Sequence, residues 1–192
     1  MNNILFINAC VRKESRTKEL ADVVLSKLQG TITEVNLEKE NLKPLNLERL
    51  NYRFNLIGKR DFSDPIFDKA KQFAAADTIV IAAPFWDFSF PAMFKIYVEN
   101  INVVGLLFRY THIGAIEGLC KAKKLIYVAT SGGPMQGNAF GYEYIKYLCN
   151  NFYGIKDTCL IKAEGLDIVG ADIPAIMQKA RQEALEKISS IN

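Results

Sequence analysis

Short apolar runs alternate with amphipathic stretches along this chain. Residues 3–9 (NILFINA) are β-rich with little polar alternation, the pattern of a strand buried on both faces. In residues 15–28, Leu20, Val23, Val24 and Leu28 recur near helical spacing, and Gly30 marks a stop. Residues 31–36 (TITEVN) predict a second strand. From 37 to 63 the chain is polar without clear periodicity, which predicts a long connection of the kind that carries function or mobility. Asp64 and Pro65 open the next helix, with Phe67, Ala70 and Ala74 following, since proline suits a first helical turn. Residues 77–83 (DTIVIAA) predict a third strand, and Pro91 opens a helix to about Asn100. Residues 124–130 (KLIYVAT) predict a fourth strand, 138–152 a helix and 155–163 a fifth strand. A helix over 171–188 closes the chain, with Ile176, Ala180, Ala184 and Ile188 on one face.

Five such strands with helices between them predict one α/β domain over residues 1–192, its parallel sheet covered on both faces. Right-handed crossovers leave few topologies. Ligands of open sheets bind beyond the carboxyl ends of the strands. The segments after strands one, three and four are therefore expected to carry the chemistry.

After strand one come residues 9–17, ACVRKESRT. Ser15 caps the following helix, and the free amides behind it make an anion site. Ser15 and Thr17 add hydroxyl donors, and Arg12 and Arg16 add positive charge, a set that suits a phosphate monoester. The competing reading is a plain capped helix with solvated arginines. After strand three, Pro84-Phe85-Trp86-Asp87-Phe88-Ser89-Phe90-Pro91 packs four aromatics between two prolines. A flat conjugated ligand would give those rings a partner, and amides around Asp87 would meet its polar atoms. An aromatic plug or a subunit interface is the alternative. After strand four, Ser131-Gly132-Gly133 lets backbone approach a ligand closely, though an ordinary turn has the same composition. Residues 103–111 (VVGLLFRYT) read either as an exposed patch closed by a partner chain or as a buried connection with one surface arginine.

Composition removes several function classes. Hydrophobic residues make up 49% and charged residues 23% of 192, an ordinary globular balance. The formal charge of +3 comes without a basic stripe, which argues against nucleic acid as a partner. No apolar stretch approaches the ~20 residues of a membrane span. No cationic region precedes the first apolar run, so a signal peptide is not expected and the cytoplasm is. One histidine, His112, and four cysteines without a CxxC pair give no metal site. No GxSxG surrounds a serine, and neither GxGxxG nor GxxxxGK[ST] occurs.

With these motifs in this order, the chain resembles the flavodoxin-like NAD(P)H:quinone oxidoreductases, and among them the FMN-dependent azoreductases. The most specific stretch is PFWDFSFPAMFKIYVENI (84–101), followed by FRYT (108–111), EGL (117–119) and KLIYVATSGG (124–133). The resemblance implies a three-layer sandwich with strand order 2-1-3-4-5, bound FMN, NADH or NADPH as co-substrate, and a homodimer with active sites at its interface. It implies that Ser15 and Thr17, helped by Arg12, hold the phosphate. Pro84, Phe85, Trp86, Asp87 and Phe88 would lie against the flavin ring, with Ser131, Gly132 and Gly133 as the second flavin loop. Phe108 and Tyr110 would line the substrate pocket, Tyr110 reaching the neighbouring site. The flavin carries the chemistry, so no side chain is assigned as catalytic. Three positions depart from the azoreductase pattern. Ala9 replaces a serine, Trp86-Asp87 stands where Tyr-Asn is frequent, and Gly132 replaces an arginine. An ionised Asp87 beside the ring would lower its reduction potential. The expected activity is two-electron transfer by hydride from NAD(P)H to quinones, azo compounds or related small oxidants, with ping-pong kinetics. A flavodoxin-type electron carrier is the alternative, against which the +3 charge argues. A hydrolase has little support.

Overall fold

The computed structural model describes residues 2–135 and 140–189. Its main sheet has five parallel strands: β1 (Asn3–Asn8), β2 (Thr31–Asn36), β3 (Thr78–Ala82), β6 (Lys124–Thr130) and β7 (Asp157–Ala163). They lie in the order β2-β1-β3-β6-β7, which is 2-1-3-4-5 when the five are counted alone. Between β3 and β6 a small antiparallel hairpin intervenes, β4 (Phe108–Tyr110) and β5 (Ile116–Gly118). The helices are α1 (Arg16–Leu25), α2 (Leu47–Gly58), α3 (Asp68–Ala75), α4 (Ala92–Ile101), α5 (Tyr142–Leu148) and α6 (Ile173–Ser189).

The apolar runs form strands because both faces of each are needed. In β1, Ile4 and Phe6 face one buried cluster, while Leu5 and Ile7 face another. In β3, Val80 and Ala82 join the first, and Ile79 and Ile81 join the second. α1 and α6 close the first cluster with Leu20, Val24, Met177 and Ala184. α3, α4 and α5 close the other with Phe73, Phe94, Tyr97 and Ile145. Burying a side chain of this size stabilises the fold by roughly 1.5–3 kcal/mol. β2, at the sheet edge, is exposed over Thr31–Glu34 and buries Val35.

The 37–63 connection is corrected by α2. This helix starts at Asn46, whose side chain accepts a bond from the Arg49 amide at 2.9 Å. Its single fully buried residue is Arg53, and Leu47 and Phe54 are exposed. Leu56 and Ile57 also pack partly buried against the core, so the inward face is a short apolar stripe interrupted by Arg53, and the Asn46 cap ahead of Leu-Glu-Arg-Leu was a further signal. Arg53 donates to the carbonyls of Glu99 at 2.9 Å and Asn100 at 3.5 Å, so a cation anchors α2 to the end of α4.

Other boundaries also shift. Asp64 and Pro65 open a 3-10 turn, Pro65–Phe67, before α3. Of the helix expected over 138–152, Asn138 lies outside the described residues, and α5 gives way to a π-helical turn, Cys149–Tyr153. Gly154 ends that turn at φ +77°, and Gly118 of β5 packs against it so closely that a Cβ there would lie 2.2 Å from the Gly154 nitrogen. Two glycines thus dock the hairpin onto the body. Residues 103–111 supply a buried approach, Val103 and Leu107, and then the first hairpin strand.

Candidate functional site: a cleft at the carboxyl ends of the strands

The parallel register aligns four strand ends. Asn8 is level with Ala82, Ala82 with Val128, and Val128 with Ile161. Ladder bonds continue past the strands: the Ala9 amide donates to Ala82, Ala83 to Val128, Phe85 to Thr130 and Ser131 to Ala163. Each loop therefore leaves the sheet already fixed by its neighbour. Together they surround a cavity of about 320 Å³.

One end of the cavity is polar and belongs to the first loop and α1. Asn8 shapes the exit from β1, its side chain accepting from the Cys10 amide at 3.0 Å and donating to Glu34 at 2.8 Å. Ser15 caps α1 by accepting from the Lys18 amide at 3.3 Å. The amides of Arg16 and Thr17 have no hydrogen-bond partner among the described residues. The helix dipole adds partial positive charge where they point. Arg12, Glu14, Ser15, Arg16 and Thr17 all line the cavity. Thr17 is buried, and its hydroxyl meets that of Thr130 at 2.6 Å.

The other end belongs to Pro84, Phe85 and Trp86. Trp86 and Ser89 exchange both backbone bonds, at 3.1 and 2.8 Å, in a tight two-residue hairpin. Asp87 and Phe88 form its tip at φ +50° and +62°, a left-handed pair without glycine. Such a turn is strained for phenylalanine and persists where its surroundings dictate it. The amides of Asp87 and Phe88 have no hydrogen-bond partner among the described residues. Asp87 and Phe88 do not line the cavity; they stand exposed at its rim, with Phe88 edge-on to Phe85 at 6.2 Å.

Ser131 and Gly132 line the third side, but Gly133 does not. The Ser131 hydroxyl donates to the Gly133 carbonyl at 2.5 Å, which tightens the turn. Leu166 and Asp167, from the loop after β7, complete the wall and escaped the sequence reading. Their amides donate to Ser131 and Gly132 at 3.1 and 3.0 Å, and Arg16 reaches across to Asp167 at 3.3 Å. The strand-end rule pointed to this loop too, but no residue in it had a distinctive type.

The expected substrate-pocket pair is not brought to the cavity. Phe108 is 6% exposed and sits in the core, edge-on to Phe152 at 5.1 Å, because the first position of β4 still faces the body. Within the single chain it is therefore part of the core and not of this cleft's wall. Tyr110, two residues on, is 59% exposed on the hairpin. Trp86, Phe88, Tyr110, Ile113, Ile168 and Val169 are all exposed apolar side chains.

A family model described as flavodoxin-like fold matches residues 2–188. The FMN-dependent NADH:quinone oxidoreductase of Clostridium beijerinckii is 36% identical over 97% of this chain and 98% of its own length. The Clostridium acetobutylicum FMN-dependent NADH:quinone oxidoreductase 2 is 34% identical over the same shares. Among solved structures, an azoreductase from Bacillus anthracis superposes with TM-score 0.85 over 99% of this chain and 100% of that one, at 23% identity. A Bacillus anthracis FMN-dependent NADH-azoreductase in complex with FMN gives 0.84 over 100% and 99%, at 24% identity. With strand order, cleft and nearly full-length matches in agreement, this chain belongs to the flavodoxin-like fold family that includes the clostridial FMN-dependent NADH:quinone oxidoreductases.

Proposed function

We propose that this chain is an FMN-dependent NADH oxidoreductase that reduces quinones, azo compounds or related small oxidants two electrons at a time. The observation that carries this reading is the two-ended cleft. Hydroxyls, arginines and open helix amides occupy one end, and Pro84, Phe85 and Trp86 the other. That donor set matches a cofactor with an anionic tail and a flat ring. The names of the relatives support FMN and NADH as the pair.

Ser15, Thr17, Arg12 and the Arg16 and Thr17 amides would hold the phosphate. Pro84, Phe85 and Trp86 would pack against the ring, with the Asp87 and Phe88 amides and the Ser131–Gly133 turn serving its polar edge. Bound FMN supplies the two-electron exchange itself. The chain's part is to orient the two reactants and to exclude water from the face they share. Aromatic side chains do the latter, and no protein nucleophile is required. NADH and the oxidant would occupy the same face in turn.

The reading extends to the whole chain as one domain, a three-layer sandwich with helices on both faces of the sheet, which the two separate cores support. It extends to a homodimer, supported by the exposed apolar residues Trp86, Phe88, Tyr110 and Ile113, which a second copy would cover. Tyr110 would then meet the neighbouring site. Four free cysteines support a reducing, cytoplasmic setting. No helix among the described residues is long and apolar enough to cross a membrane.

The test is to purify the protein, reconstitute it with FMN and follow NADH oxidation with a benzoquinone. Parallel double-reciprocal lines are expected. Intersecting lines would overturn the shared face, and failure to bind FMN would overturn the reading altogether.

A further inference from the structure

Arg16 and Asp167 are 151 residues apart in sequence and bridge two loops of the cleft. Arg16 gives one amino nitrogen both to the Leu166 carbonyl at 3.2 Å and to an Asp167 oxygen at 3.3 Å. The side chains are 44% and 74% exposed, so the pair contributes little to stability. The β7–α6 loop is already held by its own backbone, since the Leu166 and Asp167 amides bind Ser131 and Gly132. The carboxylate is thus not needed to fix the loop.

Gly132 is the second, independent observation. A Cβ at this position would lie 2.4 Å from the other Asp167 oxygen. The carboxylate fills the space that any side chain at 132 would take. A larger residue there would push Asp167 aside, which moves easily because it is an exposed side chain, and Arg16 would lose its partner. Gly132, Asp167 and Arg16 therefore form one arrangement.

We propose that Asp167 is a positioning residue that holds the Arg16 guanidinium in the cleft wall, ready for an anionic group at the start of α1, and that Gly132 is glycine to admit it. The proposal rests on the cofactor reading above. One nitrogen of Arg16 is tied down, and the remaining donors of its planar fork stay available to a phosphate. An arginine already held gives up less conformational freedom when a ligand arrives.

The sign of the effect makes the proposal testable. A carboxylate beside an anion site repels the anion, so deleting its charge would tighten binding if it had no other role. A positioning role predicts the opposite. FMN and riboflavin, which lacks the phosphate, are titrated into cofactor-free protein and followed by flavin fluorescence. Asp167→Asn is expected to weaken FMN binding about 3- to 10-fold, as for lost preorganisation of one charged contact, and to leave riboflavin binding unchanged. Asp167→Glu is expected to restore much of the loss. In an Arg16→Gln background Asp167→Asn is expected to cause no further weakening. Gly132→Ala is expected to reproduce the selective loss of FMN affinity. Unchanged or tighter FMN binding by Asp167→Asn would overturn the proposal, as would equal weakening of riboflavin. If the unmodified protein binds neither flavin, the cofactor reading itself fails, and the proposal fails with it.

Discussion

The hydroxyls of Thr17 and Thr130 meet at 2.6 Å, joining the first turn of α1 to the last residue of β6. Thr17 is 1% exposed, so this bond lies within the fold while the backbone around it lines the cleft. It sets the distance between the loop proposed for the phosphate and the turn proposed for the ring.

Thr17→Val keeps the shape and removes one partner. The lone Thr130 hydroxyl then loses its bond, at a cost of about 1–2 kcal/mol. For a chain of this size that lowers Tm by roughly 2–5 °C. FMN affinity should fall as well. Calorimetry and flavin titration measure the two effects, and a variant with unchanged Tm would show that the bond carries no stability.

Phe88 occupies a left-handed backbone conformation at φ +62° with its ring 64% exposed. Glycine accepts that conformation freely, at the cost of a more flexible unfolded chain. Relief of about 1 kcal/mol of strain should leave Phe88→Gly as stable as the parent or slightly more so. A clear drop in Tm would mean that the ring makes contacts outweighing the strain.

Arg53 is 7% exposed and donates to the Glu99 and Asn100 carbonyls at the end of α4. Arg53→Met keeps the apolar stem but leaves these carbonyls without a donor. Destabilisation of about 1–3 kcal/mol is expected, concentrated in α2. Limited proteolysis should then cut first between residues 43 and 63. Cleavage elsewhere first would contradict the anchoring role.

Burial pushes Cys10 up to about 11 and Cys120 and Cys149 up to about 12. Burial also raises Tyr97, Tyr127 and Tyr153 above the usual phenol range. The unfolded chain releases these protons first, from about pH 9 for the thiols. Stability should therefore be insensitive to these groups below pH 8 and decline from about pH 9 through 11–12. The same burial should leave Cys10, Cys120 and Cys149 unreactive toward a thiol reagent at pH 8. Half-buried Cys159 should react before them. Denaturation scans against pH and mass spectrometry of the alkylated protein test the two expectations. Rapid native labelling of Cys120 would contradict the burial.

Much of the site was legible because its loops follow strands that announce themselves. The apolar runs at 3–9, 77–83 and 124–130 gave the strand ends, and residues of the aromatic and glycine-bearing segments after them line the cleft. α2 was hidden because its most buried residue is an arginine, Leu47 and Phe54 face outward, and Leu56 and Ile57 are only partly buried. That Phe108 lies in the core of the single chain was not legible, because an aromatic next to an exposed tyrosine looks the same in sequence whether it faces the core or a pocket.

The sequence by itself determined the five strands of the parallel sheet and three of the loops that line the cleft. Local pattern suffices there, since burial on both faces demands continuous apolar runs. Only the tertiary structure decided that Asp167 closes the cleft, that Gly132 makes room for it and that Arg16 is shared between two loops. Those relations join residues about 35 to 150 positions apart through side chains of ordinary type. No local periodicity encodes such a meeting, because it depends on where the ends of β6 and β7 and the start of α1 come together in space.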